Sequence, residues 1–371
     1  MSFLNLLFPA WMQVKTLTEV NKKYERWIPI VFFVIGFIFD ALILTRIDEL
    51  HVILQQAVYL LVSAAFIGFE ILELTKEMPP PPWFVKIWKY REAFLHFLLG
   101  TLLNSYTIFY FKSASSITSL LFIVILVALL MINEFKHFGK SQVQVHMALW
   151  SLCLVSYFAS LSPIIIGFLG TLAFLLGMLT ATAVFYGFYR FMARLVTRDL
   201  LRTHLIFPFA GILAIFTTLY FLHAIPPVPL SVSYLGIFHD VTKTDGAYQL
   251  YYTRPKWKFW QHGDQTFLAR PGDTVFCFAR VFSPTRFNDK LHVVWLYYES
   301  GRGWTPSDSM PMPITGGREE GFRGVTKKSN FQPGQWQVRI ETDDNREIGR
   351  IGFEIIRDDE TADRKVETLL Q

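Results

Sequence analysis

Charged residues are scarce in this chain of 371 residues: they make up 18%, against 52% hydrophobic residues and a mean hydropathy of +0.33. Soluble domains usually carry about a quarter charged residues, so much of this chain must face something other than water. Cysteine is nearly absent too. Cys153, in an apolar stretch, and Cys277, beyond it, are the only two, which excludes a disulfide framework. Without a CxxC or a Cys/His cluster the common zinc patterns are also excluded. The chain lacks a nucleophile elbow, an HExxH, a P-loop and a dinucleotide fingerprint, so no catalytic residue, metal or cofactor is expected. Its start lacks the marks of a secretory leader: no basic stretch precedes Phe3–Phe8, and Pro9-Ala10-Trp11 is a poor cleavage site.

What the chain does have is long apolar runs. A bilayer core of roughly 30 Å needs about 20 mostly apolar helical residues. Seven segments meet that test: Ile28–Leu44, Leu50–Leu72, Glu92–Phe111, Ala114–Ile132, Val143–Leu161, Pro163–Tyr189 and Leu205–Leu222. The fourth, through SLLFIVILVALLMI, is the clearest. Ahead of them Val14, Leu17, Val20 and Tyr24 recur at helical spacing, which predicts an interfacial helix within residues 1–26.

The net charge of +5 looks at first like a nucleic-acid signal, but mapped along the chain it describes topology. Residues 1–26, 73–91, 133–142 and 190–204 carry four, four, two and four Lys or Arg, fourteen together. The alternate connections carry only Arg46 and Lys112. The positive-inside rule then predicts a cytoplasmic N-terminus and an extracytoplasmic C-terminal part. The bilayer becomes the expected partner, and nucleic acid is not.

Past Leu222 the pattern changes. Pro226, Pro227 and Pro229 make a stiff connection. Beyond it, alternating apolar residues predict strands at Ser233–Phe238, Ala247–Thr253, Thr274–Phe282, His292–Tyr298, Gly334–Glu341 and Glu347–Ile356, the last two joined by the turn Thr342-Asp343-Asp344-Asn345. Six to eight short strands in about 130 residues predict an antiparallel, immunoglobulin-like β-sandwich. The expected organisation is a cytoplasmic interfacial helix (1–26), a seven-span transmembrane all-α domain (27–225), an extracytoplasmic all-β sandwich (226–357) and a mobile charged tail (358–371).

Gly236-Ile237-Phe238-His239-Asp240-Val241, Gly316-Gly317-Arg318, Gly321-Phe322-Arg323-Gly324, Pro333-Gly334-Gln335-Trp336-Gln337-Val338 and Ile348-Gly349-Arg350-Ile351-Gly352-Phe353 carry a resemblance. They resemble a bacterial envelope domain of unknown function that closes uncharacterised multi-span inner-membrane proteins. The resemblance covers roughly residues 230–356 and implies a Gram-negative inner membrane. It implies no reaction and carries over no catalytic residue.

Polar side chains inside spans are the first place to seek transport or catalysis. Asp40, Gln55 and Gln56 fall near the outer ends of the first two spans, where they form a polar pocket or simply reach the head groups. Glu70, His96 and His146 fall near the inner ends, and Asn104 near a midplane. Ala173, Gly177 and Ala181 make a small-residue line suited to close helix packing. Arg190, Arg194, Arg198 and Arg202 repeat every four residues as one drifting helical stripe, serving as a topological anchor, a site for anionic lipid, or both.

In the β-rich part, His239-Asp240 and His262-Gly263-Asp264 put His beside acid, but neighbours on a strand point to opposite faces. Trp257, Phe259 and Trp260 lie in a basic loop with Lys256 and Lys258, suiting a membrane surface or a stacking platform for sugar or peptide. Gly317, Arg318 and Arg323 lie in a glycine-rich loop able to cradle a carboxylate or phosphate, or to pair with Glu319 and Glu320. The sequence thus predicts a non-enzymatic envelope protein whose sandwich binds an anionic glycan, a lipid head group or a partner protein. A small-solute or lipid transporter with a regulatory periplasmic domain, and a membrane-embedded enzyme of envelope lipid or glycan metabolism, are the alternatives.

Overall fold

The computed structural model describes residues 46–75, 88, 90–134, 142–244, 246–284, 287–315, 321–360 and 363–371. The expected interfacial helix, the span Ile28–Leu44, and Asp40, Gly317 and Arg318 lie outside these residues.

Among the described residues of the N-terminal half there are six helices: α1 (Leu50–Thr75), α2 (Arg91–Ser113), α3 (Ile117–Glu134), α4 (Gln142–Ile166), α5 (Thr171–Met192) and α6 (Arg198–Phe221), the last containing a π-helical turn at Arg202–Ile206. Where the sequence predicts seven spans, five stretches among the described residues are long and apolar enough to cross a membrane: Leu50–Thr75, Phe94–Ser113, Gln142–Ile166, Thr171–Met192 and Arg198–Phe221. Within α3, the stretch expected to be clearest, the apolar part among the described residues is Ile117–Leu129.

The bundle is apolar outside as well as inside. Leu61, Val124 and Leu179 stand 69%, 63% and 66% exposed, while Ser63, Thr107 and Ser151 are buried. In water that exposed surface would be costly; against hydrocarbon it is not. The expected boundary at Pro163 is displaced. Pro163 lies inside α4, which runs one further turn to Ile166 without the bond that a residue-163 N–H would make to the Ala159 carbonyl. The reversal waits for Gly167 and Gly170, whose φ of 90° and 137° suit glycine alone.

Eleven strands follow among the described residues. β1 (Ser231–Phe238), β5 (Val275–Phe282) and β8 (Phe322–Lys328) make one sheet. A second runs in the order β4 (Thr266–Ala269), β10 (Glu347–Arg357), β9 (Gly334–Thr342), β6 (Asn288–Glu299), β7 (Gly303–Thr315). The β4–β10 pair is parallel. The two sheets share one core that includes Ile237, Cys277, Ala279, Trp295, Val338 and Phe353, so this half is a sandwich. Along β10 the alternation is plain: Ile351, Phe353 and Ile355 point inward, Gly352 and Glu354 outward. A small third sheet, β11 (Glu367–Leu370), β3 (Ala247–Tyr252) and β2 (Asp240–Thr244), covers Phe238, Leu250 and Phe278.

Sequence pattern missed five of these strands. β2 and β8 are largely polar, β4 is short, and β7 carries Pro306, Pro311 and Pro313, which an edge strand tolerates. β11 corrects the expected mobile tail. It pairs with β3 from Glu367–Tyr252 to Leu370–Gln249, and Arg364 reaches Asp273 at 2.7 Å.

The sandwich rests on one end of the bundle. Ser115 Oγ, between α2 and α3, donates to Glu347 Oε1 at 2.6 Å. Leu169 N–H, between α4 and α5, donates to Asp289 Oδ2 at 3.0 Å, and Asn288 N–H donates to Gly167 O at 2.7 Å. The Arg46 guanidinium lies over the Phe282 ring. Burial raises the Asp289 carboxyl, which the Leu169 and Lys290 N–H groups oppose and the nearby Asp343 and Asp344 reinforce.

Candidate functional site

A cleft of about 380 Å³ opens where the sandwich meets the bundle, within the size range of small-molecule sites. Its bundle side is the end of α2, with Lys112, Ala114 and Ser115. Its sandwich side is built from β1, β10 and the loop before β4, bringing in Tyr234, Trp260, His262, Gln265 and Arg350.

The loop carrying Trp260 is held at its base by Asp264, whose side chain is fully buried. That carboxylate accepts the Thr253 N–H at 2.9 Å, the Thr253 hydroxyl at 3.2 Å, and the His239 ring at Nδ1, 2.7 Å away. The other His239 nitrogen lies 3.3 Å from Leu268 O, and the ring stacks on Phe267. With both ring nitrogens engaged and no nucleophile in these contacts, the pair is a structural staple. Gly263 completes it: at φ +71 an added Cβ would fall 1.9 Å from Ile237 O, so only glycine fits. The tip is a turn in which Lys258 N–H donates to Pro255 O and the Arg254 guanidinium to Lys258 O.

The polar part of the lining includes two cations, Lys112 and Arg350, the latter paired with Glu347. Arg350 donates Nη2 to Glu347 Oε2 at 2.6 Å, and Ser115 donates to the other oxygen of the same carboxylate. Tyr234 stacks on His262 with ring centroids 5.0 Å apart. Burial pushes its hydroxyl up to about 12 against the pull of Arg254 and Arg280, so it remains a donor at neutral pH. Two cations, a phenol, an imidazole and an amide around one space suit an anionic, oxygen-rich group.

Of the residues the sequence pointed to, Trp260 lines this cleft and Trp257 stands beside it, ring to ring at 5.6 Å. Arg323 does not; its Nη1 donates to Gly246 O and Gln371 O at 3.2 and 3.3 Å, tying the C-terminal strand to the sheet edge. Gln55 is exposed and bonds Tyr59, whereas Gln56 is buried and accepts from Tyr106 OH at 3.2 Å. The two therefore do not line one pocket: successive helical residues point about 100° apart. Arg190, Arg194, Arg198 and Arg202 are all exposed at the end of the bundle away from the sandwich. The single helical stripe is corrected, because α5 ends at Met192 and α6 begins at Arg198. Lys112, Tyr234, His262, Gln265 and Arg350 were not singled out as site residues. No local pattern joins them; they meet only because α2 ends beneath β1 and β10.

A second polar feature lies inside the bundle. His146 Nδ1 is 2.9 Å from Glu70 Oε2, joining α4 to α1, with side chains only 5% and 6% exposed. The sequence places both residues near the inner ends of their spans; the structure turns them toward each other.

Among solved structures, an immunoglobulin-like protein from Pseudomonas aeruginosa is similar at 11% identity and TM-score 0.20, over 33% of this chain and 98% of that one. A β-glucosidase involved in saponin metabolism from intestinal bacteria gives 11% and 0.21, over 34% of this chain and 16% of that one. A β-glucosidase from Kluyveromyces marxianus gives 9% and 0.17, over 40% and 16%. Likenesses this slight carry no argument about this chain. No curated protein matches it. Residues 288–355, which run from β6 into β10, match a family described as "Protein of unknown function (DUF2914)".

Proposed function

We propose that this chain is a non-enzymatic protein of the bacterial inner membrane whose extracytoplasmic β-domain binds an anionic envelope component in the cleft between sandwich and bundle. The observation that carries this reading is the convergence of Lys112, His262, Arg350, Tyr234 and Trp260 on one open space. The orientation rests on charge: the exposed Arg190, Arg194, Arg198 and Arg202 stand at the end away from the sandwich, the side that the positive-inside rule assigns to the cytoplasm. Counting Ile28–Leu44 and α3 would restore seven spans. An immunoglobulin-like plan is supported by the strand order β4-β10-β9-β6-β7 opposite β1-β5-β8 and by the buried Trp295 on β6.

Native mass spectrometry of the full chain in mild detergent tests the reading. An anionic lipid, glycan or polypeptide should be retained by the protein and lost from a Lys112→Gln, Arg350→Gln variant that still unfolds cooperatively. Equal retention by the two proteins would reject the cleft as the site. A transporter is the second reading, favoured by the Glu70–His146 pair, since ionisable groups inside a bundle commonly mark a transport path.

A further inference from the structure

Trp257, Phe259 and Trp260 are 64%, 79% and 57% exposed, an unusual cost for three large rings in one short loop. They form a unit, Trp260 lying 5.6 Å from Trp257 and 5.3 Å from Phe259 between ring centroids. They are displayed on a built support, because Asp264 clamps the loop base and Arg254 fixes the turn. From Thr253 through Gly263 the segment carries Arg254, Lys256 and Lys258 and no acidic residue. Lys256 reaches Glu367 on β11, and Lys258 lies over the Trp257 ring.

The position of the loop decides what such a surface meets. Trp260 shares its cleft with Lys112 and Ala114, where α2 ends, and α2 contains one of the stretches long and apolar enough to cross a membrane. Next to those residues Phe111 and Ile117 are 59% and 79% exposed, continuing the apolar outer surface up to the cleft. A loop at that level lies where hydrocarbon gives way to head groups, the zone where Trp rings are favoured and where cations beside them attract anionic lipid.

We propose that the Trp257–Phe259–Trp260 loop inserts into the adjoining leaflet, and that the cleft it borders holds the phosphate of an anionic phospholipid from that leaflet. This rests on reading the cleft as a binding site, and it names the ligand class and its source. Arg350 and Lys112 meet the phosphate, the Tyr234 hydroxyl and Gln265 amide meet the polar head, and the acyl chains run down past Phe111 and Ile117.

The test uses the full chain in nanodiscs of phosphatidylcholine with and without phosphatidylglycerol. Cys153 and Cys277 are both buried, so a nitroxide can be directed to Phe259→Cys, a position that is mostly solvent-exposed. The expected result is a label readily relaxed by oxygen and shielded from a water-soluble nickel complex. A label fully open to nickel in both discs would overturn the insertion, while the cleft could still bind an anion from solution.

Native mass spectrometry of protein released from the mixed discs supplies the second arm. The Lys112→Gln, Arg350→Gln variant should lower the ratio of bound phosphatidylglycerol to phosphatidylcholine roughly thirtyfold, the order expected for two cations at the surface. An unchanged ratio would overturn the lipid as ligand, even with the loop inserted. So would loss of bound phosphatidylglycerol from the unaltered protein on adding excess inorganic phosphate, which would put a free anion in the cleft.

Discussion

Arg346, in the turn between β9 and β10, donates Nη2 to the backbone carbonyl of Tyr220 at 3.0 Å while its guanidinium lies 3.7 Å from the centroid of the Tyr220 ring. Tyr220 is in the last turn of α6, where carbonyls lack helical partners and the helix dipole favours a cation. Asp344 holds the other edge of the guanidinium through Nε at 2.7 Å. A side chain of the sandwich thus caps the helix that leads into it, and only 6% of Arg346 is exposed.

Removing that charge leaves the Tyr220 carbonyl uncapped and takes one partner from Asp344, which is 28% exposed and still accepts from the Thr342 hydroxyl at 2.6 Å. Arg346→Met, which keeps most of the volume, should lower stability by about 1–3 kcal/mol, as for a buried acceptor left unsatisfied beside a partly exposed carboxylate. Arg346→Lys should recover only part of this, because a point charge cannot serve carboxylate, carbonyl and ring together. Thermal unfolding in detergent gives the magnitude, and faster amide exchange at Leu169 would show the sandwich loosening from the bundle. A melting temperature unchanged in both variants would mean the contact carries no load.

The Glu70–His146 pair makes a different prediction. Glu70→Leu alone strands a polar ring in the apolar bundle and should cost about 1–3 kcal/mol. Glu70→Leu with His146→Leu removes both polar groups and should be close to neutral, as for other buried pairs replaced by apolar residues. Equal losses in the single and double variants, in a thermal or denaturant series, would show that packing rather than pairing is at stake.

The C-terminal strand should detach on acidification. Burial pushes the Asp273 carboxyl upward, but its hydrogen bonds from Arg364 and from the Arg270 N–H outweigh this and hold it below its ordinary 3.8. Asp358 is also lowered, first by its hydrogen bond from Arg270 and then by the N–H of Glu360. Groups with depressed folded values contribute stability that is present above the ordinary value and is lost as pH falls through the folded one. Residues 363–371 should therefore stay protected near neutral pH and become accessible to an acid protease only below about pH 4. Arg364→Ala should move that release toward neutral pH; equal accessibility at pH 5 and pH 3 would contradict the linkage.

Close packing of α4 on α5 is the fourth test. Ala173, Gly177 and Ala181 are all buried, and a Cβ on Gly177 would lie 2.6 Å from Phe158 O. The Ser162 hydroxyl also donates across this seam to Ala173 O at 2.6 Å. Gly177→Val should separate the helices and cost about 1–3 kcal/mol through overpacking, read as a lower melting temperature in detergent. Gly187→Val, at a position where an added Cβ meets nothing within 4 Å, is the control. Similar effects at both sites would remove the packing account.

What could be read from sequence is what local pattern encodes. The apolar runs of α1, α2 and α4 to α6 are legible because each helix carries its own hydrophobicity, and the change of architecture at Pro226–Pro229 because period 3.6 gives way there to period 2. β5, β6, β9 and β10 were legible for the same reason: their inward faces alternate along one segment. β7 and β8 were not, since an edge strand with three prolines and a largely polar strand are defined by what they pair with, β6 and β5.

The candidate site belongs almost wholly to tertiary structure. Glu70 and His146, 76 residues apart, became partners only when α1 packed on α4. Ser115 and Glu347 are 232 residues apart, yet they meet beneath the cleft that also joins Lys112 to Arg350. Composition alone put aromatic and basic residues in the loop around Trp257 and Trp260 and set the sign of charge at each end of the bundle. Which of those groups converge was decided by where the sandwich sits, and that depends on single contacts such as Arg346 on Tyr220, which leave no periodic trace in the chain.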